Sequence, residues 1–208
     1  RYQRETAQCS YVYFGDSDHG PLLANNLDSS PNEPFLPPTW PMLNENLIFG
    51  TVSSGVFGDE ESPELFPVPV PKLVARYART TMEAVEILQR YKDFWGPCNA
   101  LLVDREHRLA MIEKTSCRIA VRYAYGYGYI TAMAQGDAGM KAYIAERRTA
   151  SLAARNLSPF DNDDIVYWAA QDQRHLLMRE LLDQNRANPT LSGLQRLMQF
   201  RSPDRGNV

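Results

Sequence analysis

Ten of the chain's 14 prolines fall between Pro21 and Pro71. Proline fixes φ, lacks a backbone N–H and breaks helix interiors, so the first third of the chain must be built from strands and irregular loops. The same stretch is acidic. Residues 1–71 hold two basic residues, Arg1 and Arg4, against ten acidic ones, for a local charge of -8; the remainder balances to +5. The whole 208-residue chain therefore carries only -3 at pH 7, which gives no electrostatic footprint for nucleic acid. Its 44% hydrophobic and 23% charged residues are ordinary for a globular protein and exclude a disordered or fibrous class. The length favours one domain over 1–208. No apolar run approaches the roughly 18 residues that a membrane-spanning helix needs.

Hydrophobic periodicity orders the chain. Cys9 to Phe14 (CSYVYF) is aromatic and β-branched and predicts a strand; Asp16 to Gly20 is a turn cluster; Leu22 to Leu27 predicts the second leg of a hairpin. Ser29 to Pro41 reads as a proline-rich loop and Leu47 to Val56 as a strand interrupted by Gly50 and Gly55. Pro71 suits a first helical turn. Thr80 and Glu83 have capping-box spacing, and Ala84, Ile87, Leu88 and Tyr91 then recur at helical intervals. Cys98 to Asp104, Arg108 to Glu113, Cys117 to Tyr123 and Tyr129 to Thr131 predict an antiparallel meander. After Asp137 the chain turns helical, with Ala145 to Asn156 and Asp164 to Asn185 as the best stretches and Leu191 to Phe200 as a last short helix. Strands, helices, strands, helices in that order is an α+β arrangement with antiparallel sheets, not a βαβ alternation. No glycine-rich phosphate-binding fingerprint is present.

Three groups of residues carry possible chemistry. Cys9 opens the first predicted strand, and Asn25, Asn26, Leu27 and Asp28 close the second. A cysteine attacks only as thiolate and needs a base. If the peptide bond before Cys9 were opened, its own α-amino group, with a pKa of roughly 7.7–8.0, would be that base. The plainer alternative makes Cys9 a core residue and Asp28 a turn residue. Second, residue type allows Cys9, Cys98 or Cys117 to pair with His19, His107 or His175, but the flanking residues match no thiol-protease signature, and surface or hydrogen-bonded histidines are the simpler reading. The three cysteines are too few and too odd in number for a disulfide framework, and no Cys/His cluster with zinc spacing exists. Third, Tyr123, Tyr125, Tyr127 and Tyr129 alternate strictly, which puts them on one face of an extended segment; a sheet face covered by protein is expected.

Gln8-Cys9-Ser10, the short hairpin and Leu22-Leu23-Ala24-Asn25-Asn26-Leu27-Asp28 together resemble the N-terminus of the linear-amide Ntn hydrolases. The resemblance is to the acyl-coenzyme A:isopenicillin N acyltransferase family, with bile salt hydrolases more distant. It continues through Val68-Pro69-Val70-Pro71, Leu73 to Tyr77 and Thr81 to Leu88, through Asn99 to Asp104 followed by Met111-Ile112-Glu113, and through Trp168 to Leu182. It implies an Ntn-type four-layer αββα fold and an autocatalytically exposed N-terminal cysteine. It further implies cleavage or acyl transfer of a small, linear amide through a thioester, with no cofactor and no metal. Cys9 and Asp28 would be the catalytic residues, and Asn25 and Thr131 would contact the substrate. Residues 1–8 would be a leader preceding the nucleophile.

The chain also departs from the pattern. Where the family carries a Thr-Asn-His triplet, this chain has Thr131-Ala132-Met133, so the Asn side chain that helps hold the oxyanion is absent. Such a donor is worth roughly 2.7–4 kcal/mol in comparable sites. Gln8 stands where Gly is frequent, and Asn25 where many relatives have Arg. The family's final strands would begin near Val208, so further chain, a second copy or another chain is expected to complete the fold. A catalytically silent domain that binds or scaffolds is the rival reading. No signal peptide is visible, one could have been removed, and the compartment stays open with the cytoplasm as default.

Overall fold

Strand β1, Ser10–Phe14, is buried at all five positions because it has a hydrophobic core on each side. In the computed structural model, which describes residues 9–26, 42–53, 70–131, 135–154 and 175–198, β1 is the middle strand of a three-stranded sheet. It pairs with β2 (Leu22–Asn26) and β8 (Tyr127–Thr131), both antiparallel. A second sheet has the order β3 (Met42–Leu43), β4 (Leu47–Ser53), β5 (Cys98–Asp104), β6 (Arg108–Lys114), β7 (Ile119–Tyr125), again antiparallel throughout. Five helices complete the described chain: α1 (Val70–Tyr77), α2 (Thr81–Arg90), α3 (Ala138–Ala154), α4 over 175–185 and α5 (Leu191–Met198).

The side chains fall into three cores. Tyr11, Tyr13 and Ile130 of the small sheet meet Val52, Leu101, Val103 and Met111 of the large one. On the outer face of the large sheet, Val74 of α1 and Ala84, Val85 and Leu88 of α2 pack on Phe49, Ala100, Leu102 and Ile112. On the outer face of the small sheet, Val12 and Phe14 pack on Met178 and Leu182 of α4 and on Leu194 and Leu197 of α5. The two sheets thus face one another, and each carries helices on its far side. Two antiparallel sheets in an α+β chain were expected, and they are present.

Local signals account for several elements. The Thr80 hydroxyl accepts from Glu83 N at 3.2 Å and caps α2, and the Glu83 carboxylate reaches back to Arg79 N at 2.7 Å, one residue before the capping-box partner. Asp104 ties the start of α2 to the β5–β6 turn. Its Oδ2 accepts from Thr81 N and Thr81 Oγ1, each at 3.2 Å, and from Arg108 Nε at 2.9 Å. Its Oδ1 accepts from Glu106 N and Arg108 N, each at 3.1 Å. Burial pushes the Asp104 carboxyl up, but the bonds from Thr81 and Arg108 outweigh it and hold the group below its ordinary value. Asp104→Ala is expected to cost about 1.5–3 kcal/mol in urea unfolding at pH 7, the worth of a hydrogen bond to a charged group. Because the folded carboxyl is the more acidic, that stability is present above the ordinary carboxylate pKa and is lost as pH falls through the depressed one. An Asp104→Ala loss of the same size at pH 2.5 as at pH 7 would contradict the assignment.

Three expectations are corrected. The four alternating tyrosines do not share one covered face. Gly126 at φ 70° takes the chain out of the large sheet, donating from its N to His107 O at 2.8 Å and accepting from Gly15 N at 2.6 Å. Tyr123 and Tyr125 remain on β7, 59% and 74% exposed, whereas Tyr127 and Tyr129 pass to β8 and pack toward Val12 and Phe14. The expected four-strand meander is therefore β5–β6–β7 only. Finally, the helical stretch expected after Asp137 is regular from Ala138 onward rather than from Ala145, because carboxylates hold its start: Asp137 Oδ1 accepts from Met140 N at 2.7 Å, and Glu113 accepts from Gly136 N at 2.7 Å. The Ser29–Pro41 loop, the segment 155–174 and residues 199–208 lie outside the described residues.

Candidate functional site

Cys9 stands immediately before β1, half-buried and packed against the core between the sheets. Alternation along the strand puts Tyr11 and Tyr13 on that same inter-sheet face and Ser10, Val12 and Phe14 on the helix-facing side. The β1–β2 register pairs Tyr11 with Asn25, so Asn25 joins the face that carries Cys9 and is solvent-exposed there. Asp28 and residues 1–8 lie outside the described residues.

Among the described residues Tyr11 is the largest fully buried side chain. Its ring lies flat on the large sheet where Gly50 leaves room: a Cβ at position 50 would sit 2.7 Å from Tyr11 Cε1. The hydroxyl is buried and has no hydrogen-bond partner. The Asn25 side chain lies near it from the neighbouring strand. Burial pushes the phenol pKa up, Asn25 offsets part of this, and the nearby Cys9 sulfur pushes it further up. Tyr11 is therefore a protonated donor at neutral pH, within electrostatic reach of the sulfur.

The large sheet presents a polar group to the same interlayer space. Asn99 on β5 is buried and donates from Nδ2 to the Thr131 carbonyl at 2.9 Å, joining the two sheets. Opposite Asn99 on β6 is Glu113, also buried. Glu113 Oε1 accepts from Arg122 Nη2 at 3.0 Å and Gly136 N at 2.7 Å, and Oε2 accepts from Asp137 N at 3.1 Å.

Thr131, expected at the substrate, is turned the other way. The β1–β8 register pairs it with Ser10, so both side chains face the helix layer. There Thr131 Oγ1 and His175 Nδ1 share a hydrogen bond at 2.9 Å, and the His175 ring lies 5.2 Å from the Tyr129 ring. Burial lowers the His175 pKa to about 4, with Arg122, Lys141 and Arg179 adding to the effect. The other histidines stand elsewhere: His107 bonds Tyr13 at the far end of β1, and His19 is exposed beside Asp18. Burial pushes the Cys98 thiol up to about 12, while Cys117 is exposed in the β6–β7 turn.

Among the described residues no group of three or more His, Cys, Asp or Glu could hold a metal ion, and no helix is long and apolar enough to cross a membrane. A cavity of about 410 Å³ opens along α4, lined by Leu176, Arg179, Glu180, Asp183 and Gln184, none of which belongs to the Cys9 face. No protein-family model, no curated protein and no solved structure matches the chain. Function has to be argued from the chain's own chemistry. Composition could not find Tyr11, although its place two residues after Cys9 on an alternating strand already puts it on the cysteine's face. Arg122 and His175 meet their partners across elements, which leaves no local signal.

Proposed function

We infer that the chain is an Ntn-type cysteine amide hydrolase or acyltransferase acting on a small, linear amide. One observation carries this reading: Cys9 heads the central strand of the smaller of two facing sheets and lies on the inter-sheet side. The resembling segments Asn99 to Asp104 and Met111 to Glu113 also fall on one ladder, β5 with β6.

In the proposed reaction the peptide bond before Cys9 is first opened. Cys9 Sγ then attacks the amide carbonyl, and the thiol proton passes to the Cys9 α-amine and from there to the leaving nitrogen. The C–N bond breaks, leaving a thioester on Cys9 that water or an acceptor amine resolves. Asp28 orients the amine, and Asn25 contacts the acyl group from the neighbouring strand.

The test compares the full chain with one beginning at Cys9 on a panel of acyl 4-nitroanilides, with Cys9→Ala as control. Only the chain with a free Cys9 amine is expected to release nitroaniline, with an acyl adduct on Cys9 by intact mass. Equal activity of both chains sinks the free-amine mechanism. No acyl adduct in either chain favours the second reading, a silent binding domain, for which the replacement of the oxyanion Asn by Ala132 speaks.

A further inference from the structure

We propose that the Tyr11 hydroxyl is the donor that holds the carbonyl oxygen of the group attacked by Cys9, a role that rests on the reading of Cys9 as nucleophile. A buried hydroxyl without a partner destabilises a fold, and the great majority of such groups are paired. Tyr11 Oη is buried and unpaired, and the residue is 0% exposed. Phenylalanine would fill the same space at no such cost. An unpaired donor beside a nucleophile has a use when its partner arrives with the substrate.

The surroundings fit that use. Tyr11 shares the inter-sheet face with Cys9 two residues away, and Asn25 flanks it from β2. Its ring is fixed against Gly50, so the hydroxyl is held before any substrate binds. A donor whose own ring is already fixed favours stabilisation of a developing oxyanion, and the cover over the hydroxyl is what moves when substrate enters. The phenol remains protonated, since burial and the Cys9 sulfur both oppose its ionisation. Tyr11 also supplies from β1 the kind of donor that Ala132 cannot supply after β8.

The electron flow is simple. As Cys9 Sγ bonds to the carbonyl carbon, the C=O π pair moves onto oxygen, which accepts a hydrogen bond from Tyr11 Oη. When the pair returns, the bond to the leaving group breaks and that group departs with its electrons. The original thiol proton goes to the leaving amine or, for a 4-nitrophenyl ester, to solvent. Tyr11 gives up no proton.

The experiment uses the chain beginning at Cys9, the form the proposed mechanism requires, and two reactions at the same sulfur. Acylation by 4-nitrophenyl acetate passes through an oxyanion; alkylation by iodoacetamide does not. Both are followed on the Cys9 peptide by mass, which separates it from the exposed Cys117. Tyr11→Phe is expected to slow acylation on the order of 10²–10³-fold, the usual cost of one oxyanion donor. Alkylation should be unchanged and the melting temperature equal or higher. Gly50→Ala, which keeps the tyrosine but drives a methyl into its ring, should also slow acylation selectively. Wild-type acylation rates in either variant overturn the proposal, as does a parallel fall in both reactions, which would make Tyr11 a packing residue. If the wild-type chain is alkylated but never acylated at Cys9, the nucleophile reading itself fails and takes Tyr11 with it. Acylation of wild type with no loss in Tyr11→Phe removes Tyr11 alone.

Discussion

Glu113→Ala should lower the unfolding free energy by about 3 kcal/mol in urea at pH 7, near the lower end of the cost of breaking a buried ion pair from one side. The Glu113 side chain is 3% exposed, so its charge is tolerated only because Arg122, Gly136 N and Asp137 N all donate to it. Removing it orphans two backbone N–H groups at the start of α3 and leaves Arg122 without its counter-charge. Arg122 is 31% exposed, and water recovers part of that loss, which keeps the expected value from the upper end of the range. Arg122→Ala should cost less, because the carboxylate would retain both backbone donors and solvent can reach the vacated place. Glu113→Gln should lie between, keeping one acceptor oxygen but turning an amide donor toward the guanidinium. Hydrogen exchange should localise the Glu113→Ala loss to the first turn of α3. If Arg122→Ala proves the more damaging, the cap is incidental and the ion pair is the main contribution.

The same carboxylate illustrates what the sequence could tell. Strands β1, β5 and β6 were legible because each is a short apolar and β-branched run between turn residues, and α2 because its cap and its stripe are both local. Observed and expected limits agree to within a residue: Ser10–Phe14 against Cys9–Phe14, and Arg108–Lys114 against Arg108–Glu113. The start of α3 was legible in part, since the local cap Asp137 marks the turn into helix; the Glu113 carboxylate that holds Gly136 N and Asp137 N ahead of it comes from β6, 23 residues upstream of Gly136, and was not legible. Nor was the division of the tyrosines. Alternation along YAYGYGY does not put the four rings on one face, because one glycine at positive φ transfers the chain between sheets, and periodicity carries no information about which sheet a strand joins. The site divides in the same way. The position of Cys9 at a strand start and of Asn25 across the hairpin follows from local pattern. The facing of Thr131 does not follow from local pattern, because it is set by the β1–β8 register, a pairing between residues more than a hundred positions apart.

His175 makes that register sensitive to acid. Its ring lies between β8 and α4, bonded to Thr131 Oγ1 and tilted beside the Tyr129 ring, and the charges that act on it are positive: Arg122 from β7, Lys141 from α3 and Arg179 from α4 itself. Arg179 leans toward Asp183 at 3.8 Å on the far side of a helical turn. Burial first, and these cations second, move the folded pKa from 6.5 to about 4. The folded state therefore holds the neutral ring more firmly than the unfolded chain does. The associated stability is fully present above pH 6.5, falls as pH drops toward 4, and changes no further below that. At about 1.4 kcal/mol per pH unit the full loss is about 3 kcal/mol, an upper limit for a ring that is not wholly buried. Asp104 does not interfere, since its contribution is lost only at still lower pH. Urea unfolding between pH 7.5 and 4 should show this decline in the native chain and a nearly flat profile in His175→Gln, which keeps a polar contact to Thr131 without a titrating ring. The first amides to lose protection from exchange should be those of α4, because protonation places a fourth positive charge under the helix that carries Met178 and Leu182 into the outer core. An equal decline in His175→Gln would assign the acid sensitivity to other groups.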